Sequence, residues 1–127
     1  MSDIEVVERV YAAFVANDLE GLLDLADEEC VILQDPALPW GGRHVGRDGI
    51  TGFALALVGT IESTLSTDAL FESDGHVVQS GRSRGVVRAT GMAFDLAEVH
   101  VWTVKDGRIV SGQFLSDTAG MLQALGA

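Results

Sequence analysis

The sequence predicts a single α+β domain over residues 1–127, in which helices near the N-terminus precede a sheet of long antiparallel strands. Apolar residues recur at helical spacing before residue 30, whereas β-prone segments separated by short turns dominate from residue 63 onward. Hydrophobic residues make up 47% of the chain and charged residues 21%, which is typical of a protein with a buried core. The predicted order is α-α-β-α-β-β-β-β with a short C-terminal helix.

Two helices open the predicted domain. Ser2 and Glu5 form a capping-box pattern, and apolar residues then recur at helical spacing to about Asn17. Asp18 is placed to cap a second, short helix that ends before the acidic run at residues 27–29. A helical hairpin is therefore expected before the first strand.

A strand, a loop and a third helix come next. Residues 30–35 are β-prone, and we expect the strand to end at Asp35 because the following proline lacks a backbone N–H and restricts its predecessor. Residues 37–46 are rich in proline and glycine and predict a loop. Asp48 is then placed to cap a helix that runs to about Ile61.

The second half of the chain predicts an antiparallel meander. Four β-prone segments are separated by Asp-Gly or Thr-Gly dipeptides, which favour tight turns. These segments cover residues 63–73, 76–90, 93–105 and 108–116. Asp117 and Thr118 are placed to cap a short final helix.

Charge and length exclude several classes of partner. The 19 acidic and 8 basic residues give a net charge of −11, which repels nucleic-acid phosphates and anionic membrane surfaces. No apolar stretch approaches the roughly 20 residues of a membrane span, and the N-terminus lacks a secretory signal pattern. We therefore expect a cytoplasmic protein with no nucleic-acid or membrane partner.

The cysteine and histidine content predicts neither a disulfide nor a metal site. Cys30 is the single cysteine, and its position in an apolar run predicts a buried side chain. The three histidines lack metal-ligand spacing, and no glycine-rich phosphate loop joins a strand to a helix. No metal or cofactor is expected.

The Asp106-Gly107 turn predicts the register of the last hairpin. With a two-residue turn, Lys105 lies opposite Arg108, and His100 is expected opposite Gln113. The face that carries His100 mixes aromatic and polar side chains, which is typical of a ligand pocket. Its predicted members are Phe94, Leu96, Glu98, His100, Trp102, Val104, Ser111, Gln113 and Leu115. The other face is predicted to carry Ala97, Val99, Val101, Val110 and Phe114.

Both faces of this predicted sheet are largely apolar. A sheet that buries both faces has helices on one side and a second layer, often a partner subunit, on the other. We therefore predict a homodimer that packs through the outer face of the sheet.

Several motifs occur in an order that resembles a known superfamily. Residues 17–23 read NDLEGLL, Asp35-Pro36 ends a strand, and His100-Val101-Trp102 precedes the KDGRIV segment at 105–110. Together with Trp40-Gly41-Gly42, this order resembles the SnoaL-like and ketosteroid-isomerase-related proteins of the nuclear-transport-factor-2-like superfamily. The resemblance covers nearly the whole chain. It implies a cone-shaped, curved antiparallel sheet wrapped around the N-terminal helices, a cystatin-like α+β roll with an interior cavity.

The resemblance also implies catalytic roles for three residues. Asp35 matches the general-base aspartate of the ketosteroid isomerases, although an aspartate before proline also caps turns. His100 matches the strand histidine of the SnoaL-like cyclases and can shuttle a proton or stabilise an oxyanion. Tyr11 lies one position after the matching oxyanion-hole tyrosine, where Val10 stands, and its inward ring can reach Asp35 or the ligand.

Other residues are candidates for ligand binding because they are aromatic or polar and lie on the predicted pocket side. They are Trp40, Phe53, Phe94, Glu98, Trp102 and Gln113. The aromatic residues can equally form the core. We favour an ion pair of Glu98 with Arg82 or Arg84 over a role in orienting His100.

Three functions remain open, each with a small hydrophobic molecule as partner. The first is a SnoaL-like, cofactor-independent isomerase or polyketide-cyclase-type enzyme, in which Asp35 removes a proton from a ring-bearing substrate. The second is a non-catalytic binding protein, which Gln113 favours because the cyclases carry an aspartate on that strand. The third, an epoxide hydrolase, requires Arg82 or Arg84 to join Asp35 around a water molecule in the cavity.

Overall fold

The computed structural model describes residues 1–126, which form four helices and six strands. The helices are α1 (Asp3–Val15), α2 (Leu19–Asp24), α3 (Gly46–Thr60) and α4 (Thr118–Leu125). The strands are β1 (Ala26–Gln34), β2 (Gly42–Val45), β3 (Ile61–Ser73), β4 (His76–Val87), β5 (Ala93–Lys105) and β6 (Arg108–Ser116). The predicted order is confirmed, with β2 as an addition.

All six strands form one sheet in the order β2-β1-β6-β5-β4-β3. Neighbouring strands are antiparallel except β1 and β6, which run parallel. A parallel pair needs a long connection, which the segments between β1 and β6 supply. The helices pack on the inner face of the curved sheet, with α1 against β3 to β6 and α3 against β1 to β3. This arrangement confirms the predicted α+β roll.

Three helices begin at the side-chain caps that the sequence predicts. Ser2 Oγ accepts a hydrogen bond from the Glu5 N–H at 3.2 Å, and the Glu5 carboxylate accepts from the Ser2 N–H at 3.4 Å. Asp18 Oδ1 caps α2 by accepting from the Gly21 N–H at 2.9 Å. Asp117 Oδ1 caps α4 in the same way, from Gly120 at 2.9 Å.

The start of α3 differs from the prediction. Residues Gly42–Val45 form β2 instead of loop, and they pair antiparallel with β1 at the edge of the sheet. The strand leads directly into α3, whose N-cap is Val45 without any side-chain hydrogen bond. The predicted cap at Asp48 is therefore wrong, and Asp48 lies inside the first turn. Gly46, with a φ of 70°, makes the sharp change of direction possible.

The β5–β6 register is the main correction to the sequence prediction. The Asp106-Gly107 turn and the pairing of Lys105 with Arg108 are confirmed. Beyond them, β6 contains a bulge, because Val104 pairs with Ile109 whereas Thr103 pairs with Ser111. Val110 is the extra residue, and one extra residue moves every later side chain to the opposite face.

The bulge changes which β6 residues face His100. His100 pairs with Phe114, and Trp102 pairs with Gly112. Gln113 pairs instead with Val101 on the outer face, so the prediction that Gln113 faces His100 is wrong. The same correction moves Ser111 and Leu115 to the outer face.

The core lies between the helices and the inner face of the sheet. Its fully buried members include Val6, Val7, Val10, Trp40, Ile50, Phe53, Trp102 and Ile109. Cys30 is buried as predicted, and burial raises the pKa of its thiol to about 11. None of the helices within residues 1–126 combines the length and the apolar character needed to cross a membrane.

Candidate functional site

A hydrogen-bonded aromatic cluster lies on the inner face of the sheet. Tyr11 comes from α1, whereas His100 and Trp102 are two residues apart on β5 and therefore share a face. Tyr11 Oη lies 2.8 Å from His100 Nδ1, and Trp102 Nε1 donates to Tyr11 Oη at 2.9 Å. The Phe114 ring packs on His100 with its centroid 4.4 Å away. The structure thus brings together Tyr11 and His100, two of the three predicted catalytic residues.

These contacts favour one protonation state of His100. Burial lowers its pKa to about 3, so the imidazole is neutral at physiological pH. Burial raises the pKa of Tyr11, so its hydroxyl keeps its proton. When that hydroxyl donates to Nδ1, the histidine proton lies on Nε2. His100 then presents an N–H to the other side of the ring.

Glu98 lies on that other side. Its Oε2 is 3.1 Å from His100 Nε2 without forming a hydrogen bond, and neither carboxyl oxygen has a hydrogen-bond partner within residues 1–126. Only 4% of Glu98 is exposed. Burial raises the pKa of this carboxyl, the nearby Gln79 side chain partly offsets the shift, and the Asp68 charge adds to it. Glu98 is therefore a stronger base than an exposed carboxylate.

The predicted ion pair of Glu98 with Arg82 or Arg84 is wrong. Both arginines lie on the outer face of β4, where they pair with the strand positions of Ala97 and Asp95. Their Nε atoms bind the Asp95 carboxylate at 2.6 and 3.2 Å. Side chains on the outer face cannot enter the interior, so the arginine that an epoxide hydrolase needs in the cavity is not supplied by this pair.

Asp35 lies outside the cluster. It directly follows β1, is exposed, and accepts a hydrogen bond from the Ala37 N–H to Oδ1 at 2.9 Å. This contact is an Asx turn, the structural role that the sequence left open for Asp35. Within residues 1–126, Asp35 makes no hydrogen bond to Tyr11 or His100.

A groove of about 450 Å³ opens at the ends of β1 and β6. Its lining residues are Leu33, Gln34, Asp35, Pro36, Gln113, Phe114, Leu115, Ser116 and Thr118. Asp35 and Gln113 are exposed at its rim. Phe114 and Ser116 also line the groove, and they are the cross-strand partners of His100 and Glu98. The groove therefore lies beside direct neighbours of the cluster, although Tyr11, Glu98, His100 and Trp102 do not line it.

The four aromatic residues predicted to line a ligand site are all buried: Trp40, Phe53, Phe94 and Trp102. Phe53 packs against Phe114 with ring centroids 5.6 Å apart, which extends the aromatic surface from His100 toward α3. Gln113 is separated from this surface because it faces outward. Contact of these residues with a ligand stays a prediction.

Gln79 was missed at the sequence level. It is completely buried on β4, directly opposite His100, and its Nε2 donates to Thr67 Oγ1 at 3.1 Å. The sequence does contain an indication of its burial: Gln79 lies two residues after the apolar Val77, and side chains two residues apart on a strand share a face. Recognising it required the β4–β5 register, which the turn near Gly91 left open.

Comparison with known proteins identifies the family. A family model described as SnoaL-like domain matches residues 7–112. The chain belongs to the SnoaL-like domain family. No curated protein matches it significantly.

Solved structures share the fold of this SnoaL-like domain. An NTF2-like protein of unknown function from Burkholderia pseudomallei is 29% identical, with a TM-score of 0.91 and 100% of both chains covered. TerC, co-crystallised with polyporic acid, is 24% identical, with a TM-score of 0.87 and 98% of both chains covered. A Pseudomonas putida protein with the provisional name of polyketide cyclase is 18% identical, with a TM-score of 0.84 and 98% of both chains covered.

The cluster of this SnoaL-like domain has the parts of an acid–base site. Glu98 can accept a proton, and the Nε2–H of neutral His100 can donate a hydrogen bond to developing negative charge. The surrounding rings suit a hydrophobic ligand. Among the side chains of residues 1–126, no three His, Cys, Asp or Glu residues converge to hold a metal ion.

Proposed function

We propose that this SnoaL-like domain is a cofactor-independent enzyme that moves a proton on a hydrophobic, ring-bearing small molecule, as an isomerase or a polyketide-cyclase-type enzyme. One observation carries the proposal: the Glu98 carboxyl is buried and lies 3.1 Å from a neutral imidazole. A buried carboxyl is costly in a purely structural role. Buried carboxyls with a raised pKa concentrate at catalytic sites.

Each member of the cluster has a distinct role. Glu98 removes a proton from carbon next to a carbonyl, because burial raises the pKa of its carboxyl toward that of a useful general base. His100 Nε2–H stabilises the resulting enolate oxygen, and Tyr11 holds the histidine tautomer through Nδ1. The substrate enters through the groove, past Phe114 and Ser116.

Asp35 is the alternative proton acceptor, because the resemblance to ketosteroid isomerases implies a base at this position. Its Oδ1 is engaged in the Asx turn, and its side chain stands at the groove rim. These contacts support a role for Asp35 at the entrance more than at the reacting atoms.

Deuterium exchange tests the proposal without knowledge of the natural reaction. We expect the wild-type protein to accelerate wash-in of deuterium next to the carbonyl of 2-tetralone, a hydrophobic ring ketone, followed by proton NMR. Glu98→Gln keeps the shape but removes the base, so the rate should fall about 10²- to 10⁴-fold. Glu8→Gln removes the same charge from an exposed position and should leave the rate unchanged.

Asp35→Asn decides between the two carboxyls. A small effect of Asp35→Asn beside a large effect of Glu98→Gln supports Glu98 as the base, and the reverse pattern would assign the base to Asp35. Equal rates for Glu98→Gln and the wild type, with both folded by circular dichroism, would remove Glu98 from the mechanism.

A non-catalytic binding protein is the second candidate function. The low exposure of Glu98 and the engagement of Asp35 in a turn favour it, because both limit contact with a reacting molecule. Mass spectrometry of the purified protein after denaturation tests this candidate. A retained small molecule, together with no exchange on a panel of ring ketones, would make binding the better account.

The homodimer is a proposal that rests on the outer face of the sheet. Apolar side chains from β3, β4, β5 and β6 share that face: Phe71, Val78, Val99, Val101 and Leu115. A second copy that covers this face would bury these side chains. The cytoplasmic location remains a prediction from the sequence.

A further inference from the structure

Gln79 connects β3 to the proposed base. Its side chain is completely buried, and its Nε2 donates to Thr67 Oγ1 on β3 at 3.1 Å. Its strand position is opposite His100. A buried glutamine in this position has no core-packing advantage over leucine, so its polar group needs another explanation.

Gly81 leaves space for the Gln79 amide beside Glu98. Gly81 pairs with Glu98 on one side and with Thr67 on the other. A Cβ atom at this position would lie 3.0 Å from Gln79 Nε2 and would overlap the Ser66 backbone. The Gln79 amide therefore extends over Gly81, between Thr67 and Glu98.

Three buried oxygens in this region lack hydrogen-bond partners within residues 1–126. They are Gln79 Oε1 and both carboxyl oxygens of Glu98. Gln79 Nε2 carries two hydrogens: one is donated to Thr67 Oγ1, and the second is available to the Glu98 carboxylate on the other side of Gly81. This second hydrogen gives the Glu98 carboxylate a donor and keeps the link to Thr67.

We propose that Gln79 is a positioning residue for Glu98: anchored by Thr67, its amide donates to the carboxylate and holds it facing His100. The inference rests on the proposed function, since it assigns Glu98 as the base. The other titratable groups that face Glu98 are His100 on the same strand, Tyr11 from α1 and Asp68 from β3. Its neighbours Gly81 and Ser116 carry no charge.

The side-chain pKa of Glu98, followed by carbon-13 NMR and assigned with Glu98→Gln, tests this role directly. Gln79→Leu removes the donor to the carboxylate, so the pKa of Glu98 should rise by about one unit. Thr67→Val removes the anchor and should move the pKa in the same direction. Thr67→Ser keeps the hydroxyl and should restore the wild-type value, which a purely steric role of Thr67 would not produce.

The outcomes separate the positioning role from the proposed function. If Gln79→Leu folds and the Glu98 pKa is unchanged, the positioning role is overturned, even if the wild type catalyses 2-tetralone exchange. If Gln79→Leu does not fold, an unchanged pKa in Thr67→Val overturns it. A pKa shift without exchange by the wild type would support the contact and reject the catalytic proposal. We expect Gln79→Leu to slow exchange about tenfold while Thr67→Ser leaves it near the wild-type rate.

Discussion

Burial acts in opposite directions on the two ionisable partners of the site. It lowers the pKa of His100 to about 3 and raises the pKa of Glu98, so it favours the neutral form of each group. Tyr11 reinforces the neutral histidine through Nδ1. Burial therefore gives a neutral His100 N–H beside a Glu98 carboxyl of raised pKa. A solvent-exposed pair lacks the burial that shifts both pKa values.

Glu98→Gln should change stability in a pH-dependent way. The folded-state pKa of Glu98 is raised, so its contribution to stability is fully present below the unfolded pKa and is lost as pH rises through the folded value. Glutamine does not lose a proton, so the variant should gain about 1–3 kcal/mol relative to the wild type between about pH 4 and pH 8. Urea unfolding at both pH values measures the difference. A constant difference would contradict a raised pKa.

Gly112→Ala should disturb the site through Trp102. A Cβ atom at Gly112 would lie 2.9 Å from Trp102 Cζ3 and 3.1 Å from Ile32 Cδ1. Both neighbours are buried, so we expect a loss of about 1–3 kcal/mol in the free energy of unfolding. Gly52→Ala is the matched control, since nothing lies within 4 Å and the change should stabilise α3 by about 0.5–1 kcal/mol. Equal effects of the two changes would contradict this packing.

At the scale of elements, the bulge in β6 decides the composition of the site. The Val110 insertion places Phe114 against His100 and turns Gln113 outward. The end of β6 is followed at once by the cap of α4, and the Asp117 N–H donates to Ala97 on β5. The strand end, the cap and the groove therefore form one structural unit.

Asp117→Ala should loosen α4. The change removes the Oδ1 acceptor that caps the Gly120 N–H, and such a loss costs about 1 kcal/mol. Asp117→Asn keeps an acceptor and should be nearly neutral. Chemical denaturation measures both, and hydrogen exchange at Gly120 and Met121 localises the effect. If alanine and asparagine behave alike, the cap does not stabilise this helix.

At the scale of the whole molecule, the two faces of the sheet carry different kinds of side chain. Its inner face carries the aromatic cluster and Glu98, whereas its outer face carries the apolar residues and the Arg82, Arg84 and Asp95 ion pairs. Those ion pairs lie on exposed side chains and contribute little to stability. The apolar part of the outer face is the surface proposed for the second copy.

Val101→Arg should dissociate the proposed homodimer. Val101 lies in the middle of the outer face, between Val78 and Gln113, so arginine would place a charge in the interface without entering the core. Sedimentation equilibrium should give twice the 13.4 kDa chain mass for the wild type and one chain for the variant. Leu55→Arg, on the exposed side of α3, should remain dimeric. A monomeric wild type would reject the proposal.

The sequence by itself determined the elements whose signals are local. Ser2, Asp18 and Asp117 cap helices because their side chains bond backbone groups three residues away. The Asp-Gly turns follow from the left-handed conformation that these residues tolerate. Alternation along β5 also placed Glu98, His100 and Trp102 on one face, which is why much of the site was predictable.

Only the tertiary structure decided which strands and side chains meet. The bulge at Val110, the pairing of β2 and the outward direction of Arg82 depend on contacts between distant segments, and the local sequence carries little trace of them. The same is true of Gln79, whose burial follows from its position opposite His100. Local hydrogen bonds specify where a helix or turn forms, but pairing with the neighbouring strand determines which face of the sheet each side chain occupies.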